Sequence, residues 1–205
     1  MYYTVLAAAI ESTTEEKYSD FLTFLHPVNS REEAMEFIDH YRKTYPDANH
    51  VCWAYVIGDT RRPLTQAFSD DGEPSGTAGK PMLHVLTERD VGNSLAVVVR
   101  YFGGVKLGAG GLVRAYSAAV SNAVNGAELL EVTPKVQLQV VVDFARETKV
   151  RHIVNQHQGQ ILNVHYATSV TLDISLPAAH AELFAQQVIN ETAGDAIIHV
   201  EKNNE

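Results

Sequence analysis

Arg100-Tyr101-Phe102-Gly103-Gly104-Val105-Lys106-Leu107-Gly108-Ala109-Gly110-Gly111-Leu112-Val113-Arg114-Ala115-Tyr116 joins two runs of opposite character. The run before it, 95–102, is rich in β-branched and aromatic residues and reads as a strand. The run after it, 112–130, is rich in alanine and reads as a long helix. Small side chains at Ala115, Ser117, Ala118, Ala119 and Ala123 let that helix lie close to a sheet. Between them, residues 103–111 hold five glycines in nine positions. Glycine costs backbone entropy, so a fold keeps this many for unusual φ angles or close approach. Strand, glycine-rich turn and helix form the unit from which the rest of the chain is placed.

Working outward toward the N-terminus, residues 2–10 and 18–25 read as strands. Ser30 and Glu33 form a capping-box pair that opens a helix through Ala34, Met35, Phe37, Ile38 and Tyr41. Residues 51–58 read as a buried strand. Residues 68–79 are polar, with three glycines and a proline, and read as a loop. A short helix over 80–88 follows, with Pro81 in its first turn. Outward the other way, Pro134 marks a boundary. Beyond it the pattern is strand 136–142, helix 145–158, strands 160–166 and 169–176, a helix opened by Pro177, and strand 196–200. That βαββαβ order is ferredoxin-like. The expected domains are 1–133 and 134–205, and the class is α+β.

The whole chain has 205 residues, 16 Lys+Arg against 25 Asp+Glu, and a net charge of −9. This excludes a protein that coats nucleic acid by bulk charge. One cysteine, Cys52, excludes an internal disulfide and suits a reducing compartment. The opening run lacks the basic start of a signal peptide, and no apolar stretch reaches the length of a membrane span. A cytoplasmic protein without membrane contact is expected.

The acidic balance reverses locally. Between Asp90 and Glu128 there is no acid, yet Arg100, Lys106 and Arg114 are present. A glycine-rich turn entering a helix exposes backbone N–H groups where the helix dipole favours an anion. A phosphate or nucleic-acid site of Arg100, Gly103, Gly104, Lys106, Gly108, Gly110, Gly111 and Arg114 is therefore expected, with Lys80 nearby. The alternative is a tight connection whose glycines serve packing. The turn is not a P-loop, because Ala109 and Gly110 stand where Lys and Ser/Thr belong, and no Rossmann fingerprint is present. In Ser69-Asp70-Asp71-Gly72-Glu73-Pro74-Ser75-Gly76-Thr77, the carboxylates of Asp70, Asp71 and Glu73 could hold Mg²⁺, or simply shape an acidic turn. His50 and Cys52 alternate on one strand, but two ligands fall short of a zinc site. No catalytic residue is assigned, and no cofactor is required.

Taken together, the segments 69–81 and 100–116, with Asp47-Ala48-Asn49-His50-Val51-Cys52-Trp53-Ala54-Tyr55, resemble the signatures of the IMPACT family. The C-terminal unit is similar to the extra domain of its bacterial, YigZ-type members. Lys17-Tyr18-Ser19-Asp20-Phe21 departs from the family's Lys-Ser-Arg-Phe, since Asp20 replaces the arginine. The resemblance implies an N-terminal two-layer α/β sandwich like a ribosomal small-subunit protein and domain IV of the translocating elongation factor. It implies a C-terminal domain like domain V of that factor. Eukaryotic members regulate translation by competing for the activator of an initiation-factor kinase. Three functions stay open: a translation-linked protein binding RNA or ribosome phosphate, or another anion; a Mg²⁺-dependent enzyme or binder of a phosphorylated small molecule; and a protein-interaction module with structural glycines. No readout of DNA sequence is expected.

Overall fold

The computed structural model describes residues 2–200. Residue 1 and residues 201–205 of the expected domains lie outside them. The chain divides into two compact units, Tyr3–Val132 and one built from Thr133 onward.

The larger unit runs β1 (Tyr3–Leu6), β2 (Ile10–Glu16), β3 (Ser19–Pro27), α1 (Arg31–Thr44), β4 (His50–Ile57), β5 (Thr65–Ser69), α2 (Gly79–Glu88), β6 (Ser94–Tyr101), α3 (Ala109–Gly126) and β7 (Leu129–Val132). Five strands form one antiparallel sheet in the order β2-β3-β6-β4-β5. Strand β6 is central and buried along almost its whole length. Its side chains alternate between two cores, as strand geometry requires. Leu95, Val97 and Val99 pack with Phe24, Ile38, Tyr41 and Tyr55 on the side of α1. Ala96 and Val98 pack with Met82, Leu86, Tyr116 and Ala119 on the side of α2 and α3. Helices thus cover both sheet faces. This is why 95–99 is continuously apolar rather than alternating.

The close approach of α3 is made by Ala115, Ala119 and Ala123, all buried; Ala118 faces outward. Ser30 caps α1 as expected, its Oγ accepting from the Glu33 N–H at 3.1 Å, while a Glu33 carboxylate oxygen accepts from the Asn29 N–H.

Three elements differ from the sequence expectation. The run 2–10 is not one strand: β1 pairs with β7, and β2 pairs with β3 in a different sheet. Strand β5 was hidden in a polar stretch. Helix α3 ends at Gly126 rather than at residue 130, because the chain turns extended at Ala127 and 129–132 pairs with β1.

The smaller unit runs β8 (Lys135–Val142), α4 (Glu147–Gln156), β9 (Gln160–Tyr166), β10 (Val170–Pro177), α5 (Ala181–Glu191) and β11 (Ile197–Val200). Its antiparallel sheet has the order β11-β8-β10-β9. Alternate residues Leu138, Val140 and Val142 on β8 and Val170, Leu172, Ile174 and Leu176 on β10 meet Val150, Ile153, Val154, Phe184 and Val188 from the two helices. The βαββαβ order is therefore carried by one strand face and two helix stripes.

Candidate functional site

The glycine-rich segment starts where β6 ends. Gly103 passes directly over the β2–β3 turn: a Cβ placed on it would lie 1.7 Å from the Tyr18 carbonyl oxygen, so only glycine fits. Gly104 and Gly108 have φ of +88° and +73° with open space around them, so conformation rather than crowding selects glycine there. Gly108 is the N-cap of α3 and has no side chain with which to cap it. No acidic residue stands in the first turn of α3. The helix opens instead with its Gly108 carbonyl accepting from Leu112 N–H at 2.9 Å. The N–H groups of Ala109, Gly110 and Gly111 precede that first bond. Gly110 and Gly111 lie inside the helix rather than in the turn.

Beside this helix end lies a cleft of about 370 Å³. Arg100, Glu73, Asn49 and His50 supply its polar lining, and Phe102, Leu107, Leu112 and Pro74 its apolar lining. Lys106 stands exposed at the same cleft and has no ion-pair partner among the described residues.

Arg100 is not an open phosphate ligand, which corrects the sequence expectation. It is 5% exposed, and its Nη1 lies 2.6 Å from Glu73 Oε1. Nη2 donates to Ser19 Oγ at 3.3 Å, and the same hydroxyl accepts from the Gly103 N–H. Tyr116 Oη donates to the same Glu73 oxygen at 2.8 Å. Cys52 donates to Tyr116 Oη and to the Asp70 carbonyl. Burial raises both the Tyr116 hydroxyl and the Cys52 thiol well above their ordinary ranges, so both keep their protons. A buried protonated thiol is a poor nucleophile, and Cys52 serves packing. His50 Nδ1 lies 2.8 Å from the Asp71 carbonyl oxygen. A carbonyl only accepts, so Nδ1 carries a proton, and Nε2 points toward Glu73 Oε2 at 3.7 Å.

The three carboxylates expected to hold Mg²⁺ are each engaged by the protein. The Asp70 carboxylate accepts backbone N–H groups from Gly76, Ala78 and Gly79 at 2.7, 3.0 and 2.9 Å, and so closes the start of α2. Asp71 accepts from Val51 N–H at 2.7 Å and faces Arg42 at 3.6 Å. Glu73 is paired with Arg100. Each carboxylate has a protein partner. Among the described residues, no three His, Cys, Asp or Glu gather to hold a metal ion.

The remaining expected cations separate. Arg114 lies exposed along the first turn of α3, its Nη1 3.6 Å from where a Cβ on Gly110 would be. It lines a neighbouring cleft of about 300 Å³ with Lys17, Glu15, Glu16 and Asn122. Lys80 is exposed on α2 and lines neither cleft. Asn49, Tyr116 and Ser19 were not singled out as site residues. Each lies in a segment that carries the family resemblance: Asn49 in 47–55, Tyr116 in 100–116 and Ser19 in 17–21. Asp20, which replaces the family arginine, is exposed and stands opposite Tyr101 in the sheet.

An antiparallel sheet with helices on both faces, a glycine-built helix entrance and a separate βαββαβ unit define a two-domain α+β protein of distinctive plan. This chain belongs to the IMPACT family. The Impact N-terminal domain matches residues 17–124, and a domain of unknown function, DUF1949, matches residues 140–195. It is 38% identical to the IMPACT family member YigZ of Escherichia coli (strain K12), over 94% of each chain. It is 37% identical to the IMPACT family member YvyE of Bacillus subtilis (strain 168), over 96% of this chain and 89% of that one. A crystal structure described as that of a hypothetical protein shares 35% identity with a TM-score of 0.66, covering 99% of this chain and 98% of the other. Among the described residues no helix is long and apolar enough to cross a membrane.

Proposed function

We propose that this protein is a translation-linked binding protein that holds phosphate of RNA or of the ribosome, or a comparable anion, at the N-terminus of α3. The observation that carries this reading is the entrance to an 18-residue helix, left without a side-chain cap and without an acid in its first turn, beside an unpaired lysine. Phosphate contacts need only cations and backbone N–H groups. The translational setting comes from the family, whose eukaryotic members act there. Catalysis is not part of the proposal, since the carboxylates that would have held Mg²⁺ are engaged with the protein itself.

The geometry sharpens the expected salt dependence. Arg100 is neutralised by Glu73, so Lys106 and Arg114 are the cations left to replace counterions. At about 0.7 per contact on single strands, log affinity against log salt should fall with a slope near −1.4. Fluorescence anisotropy of a labelled single-stranded RNA measures it. Lys106→Ala should roughly halve that slope. Affinity independent of salt, or unchanged in a Lys106→Ala/Arg114→Ala variant, overturns the reading.

A further inference from the structure

We propose that the cleft beside α3 holds one unpaired nucleotide, with its base against Phe102 and its phosphate on the first turn of the helix. This rests on the phosphate-binding reading above and names the ligand class that the same site takes.

Phe102 is the first argument. It follows β6 directly and is 46% exposed, whereas Phe21 and Phe24 on the neighbouring strand β3 are buried, one in each core. Its backbone N–H is fixed by Asn49 Oδ1 at 2.8 Å, and the Arg100 guanidinium lies 5.7 Å from its ring centroid. A ring held this way gives a base a platform whose ordering cost is already met. Stacking on such a ring does not depend on base identity.

The cleft's contents are the second argument. Leu107, Leu112 and Pro74 continue the apolar wall, whereas Asn49 and His50 offer polar atoms at its edge. Asn49 has its carbonyl oxygen engaged, so its amide N–H groups remain as donors. An apolar slot with a few fixed polar groups suits a flat heterocycle better than a bare inorganic anion. Its volume of about 370 Å³ sits near the low end of small-molecule sites and suits one nucleotide rather than two.

The third argument is independent of the helix. Arg100 lines the cleft, is 5% exposed, and its Nε–H has no acceptor among the described residues. Buried donors are nearly always satisfied, so this unpaired Nε–H is an anomaly among the residues that line the cleft.

The test compares a short single-stranded RNA with an abasic oligomer of the same length and charge, and with free nucleoside 5′-monophosphates, using the full chain. The RNA is expected to bind roughly ten-fold more tightly than the abasic oligomer, from the usual magnitude of base–aromatic stacking. Phe102→Ala should reduce RNA to the abasic level, and Phe102→Tyr should retain the difference. Because Phe102 is exposed, the melting temperature of Phe102→Ala checks that the fold is intact. Lys106→Ala should weaken both oligomers by the same factor. Equal binding of RNA and abasic oligomer, or RNA affinity unchanged in Phe102→Ala, overturns the nucleotide pocket. If the abasic oligomer still responds to salt and to Lys106→Ala, the phosphate reading survives that failure. Monophosphates that bind in a Phe102-dependent way while neither oligomer does would support the pocket, identify free nucleotide as its source and end the RNA reading. No binding by any of the three ends both.

Discussion

Arg100 and Glu73 stand 27 positions apart in sequence, and each was expected to face a ligand: one as a phosphate contact, the other as a metal ligand. They hold each other instead, with side chains 6% and 3% exposed. A buried pair of this kind is costly to break, because the surviving charge is left without solvent or partner. Arg100→Ala should destabilise the larger unit by about 3–5 kcal/mol, read as a lowered midpoint in urea unfolding. Replacing both, as Arg100→Met/Glu73→Met, should leave the protein closer to its parent than Arg100→Ala does, because no orphan charge remains. A double variant as unstable as the sum of the singles would mean that the pair is not a coupled unit. Tyr116 and Ser19 belong to the same network; Tyr116→Phe removes a hydroxyl that donates to the Glu73 carboxylate, so it should cost about 1.5–3 kcal/mol, less than the loss of Arg100.

At the level of elements, the entrance of α3 separates two kinds of glycine. Gly103 lies against the Tyr18 carbonyl, so Gly103→Ala must displace the β2–β3 turn and should destabilise strongly. Gly110 is helical and a Cβ there would meet only the end of Arg114, at 3.6 Å. Gly110→Ala should therefore stabilise by up to about 1 kcal/mol through helix propensity. The same methyl group narrows access to the first-turn N–H groups, so RNA affinity should fall while the thermal midpoint rises. A variant that gains stability and keeps full affinity would place the anion elsewhere. The strand–turn–helix plan around these glycines was legible from composition alone, as were α1 with its capping box and the βαββαβ order of the smaller unit. The elements that were missed share a physical reason. β2 reads Ile-Glu-Ser-Thr-Thr-Glu-Glu and β5 reads Thr-Gln-Ala-Phe-Ser; both are edges of the sheet, half in solvent, where polar residues are tolerated. The first half of β7, Leu129 and Leu130, reads as the end of the preceding helix because four residues, Leu-Leu-Glu-Val, carry no period long enough to tell strand from helix. The site was legible as a segment but not as a network. Spacing shows which residues are near the turn, whereas only the sheet's register reveals that Glu73 reaches back to Arg100.

For the whole molecule, each unit buries its own apolar cluster, and the β1–β7 ribbon closes the larger one by joining its two ends. A chain ending at Val132 should therefore fold alone and unfold cooperatively in urea. One ending at Gly126 leaves β1 without a partner and should be measurably less stable. If the two truncations unfold alike, the ribbon contributes nothing to the larger unit. The molecule also carries a net charge of −9, and at the cleft its buried guanidinium is already cancelled. What attracts an anion there is the Lys106 ammonium, the Arg114 guanidinium along the same helix entrance and a set of peptide dipoles. A dipole's field fades fast with distance, and the few cations are outweighed by the net charge of −9, so the site exerts little pull beyond contact range. Capture from a distance is then absent: a polyanion meets a mildly repelling surface until a phosphate is already at the helix entrance. Association should proceed at the ordinary rate of unsteered encounters, about 10⁵–10⁶ M⁻¹s⁻¹, and discrimination among partners should reside in how long each one stays.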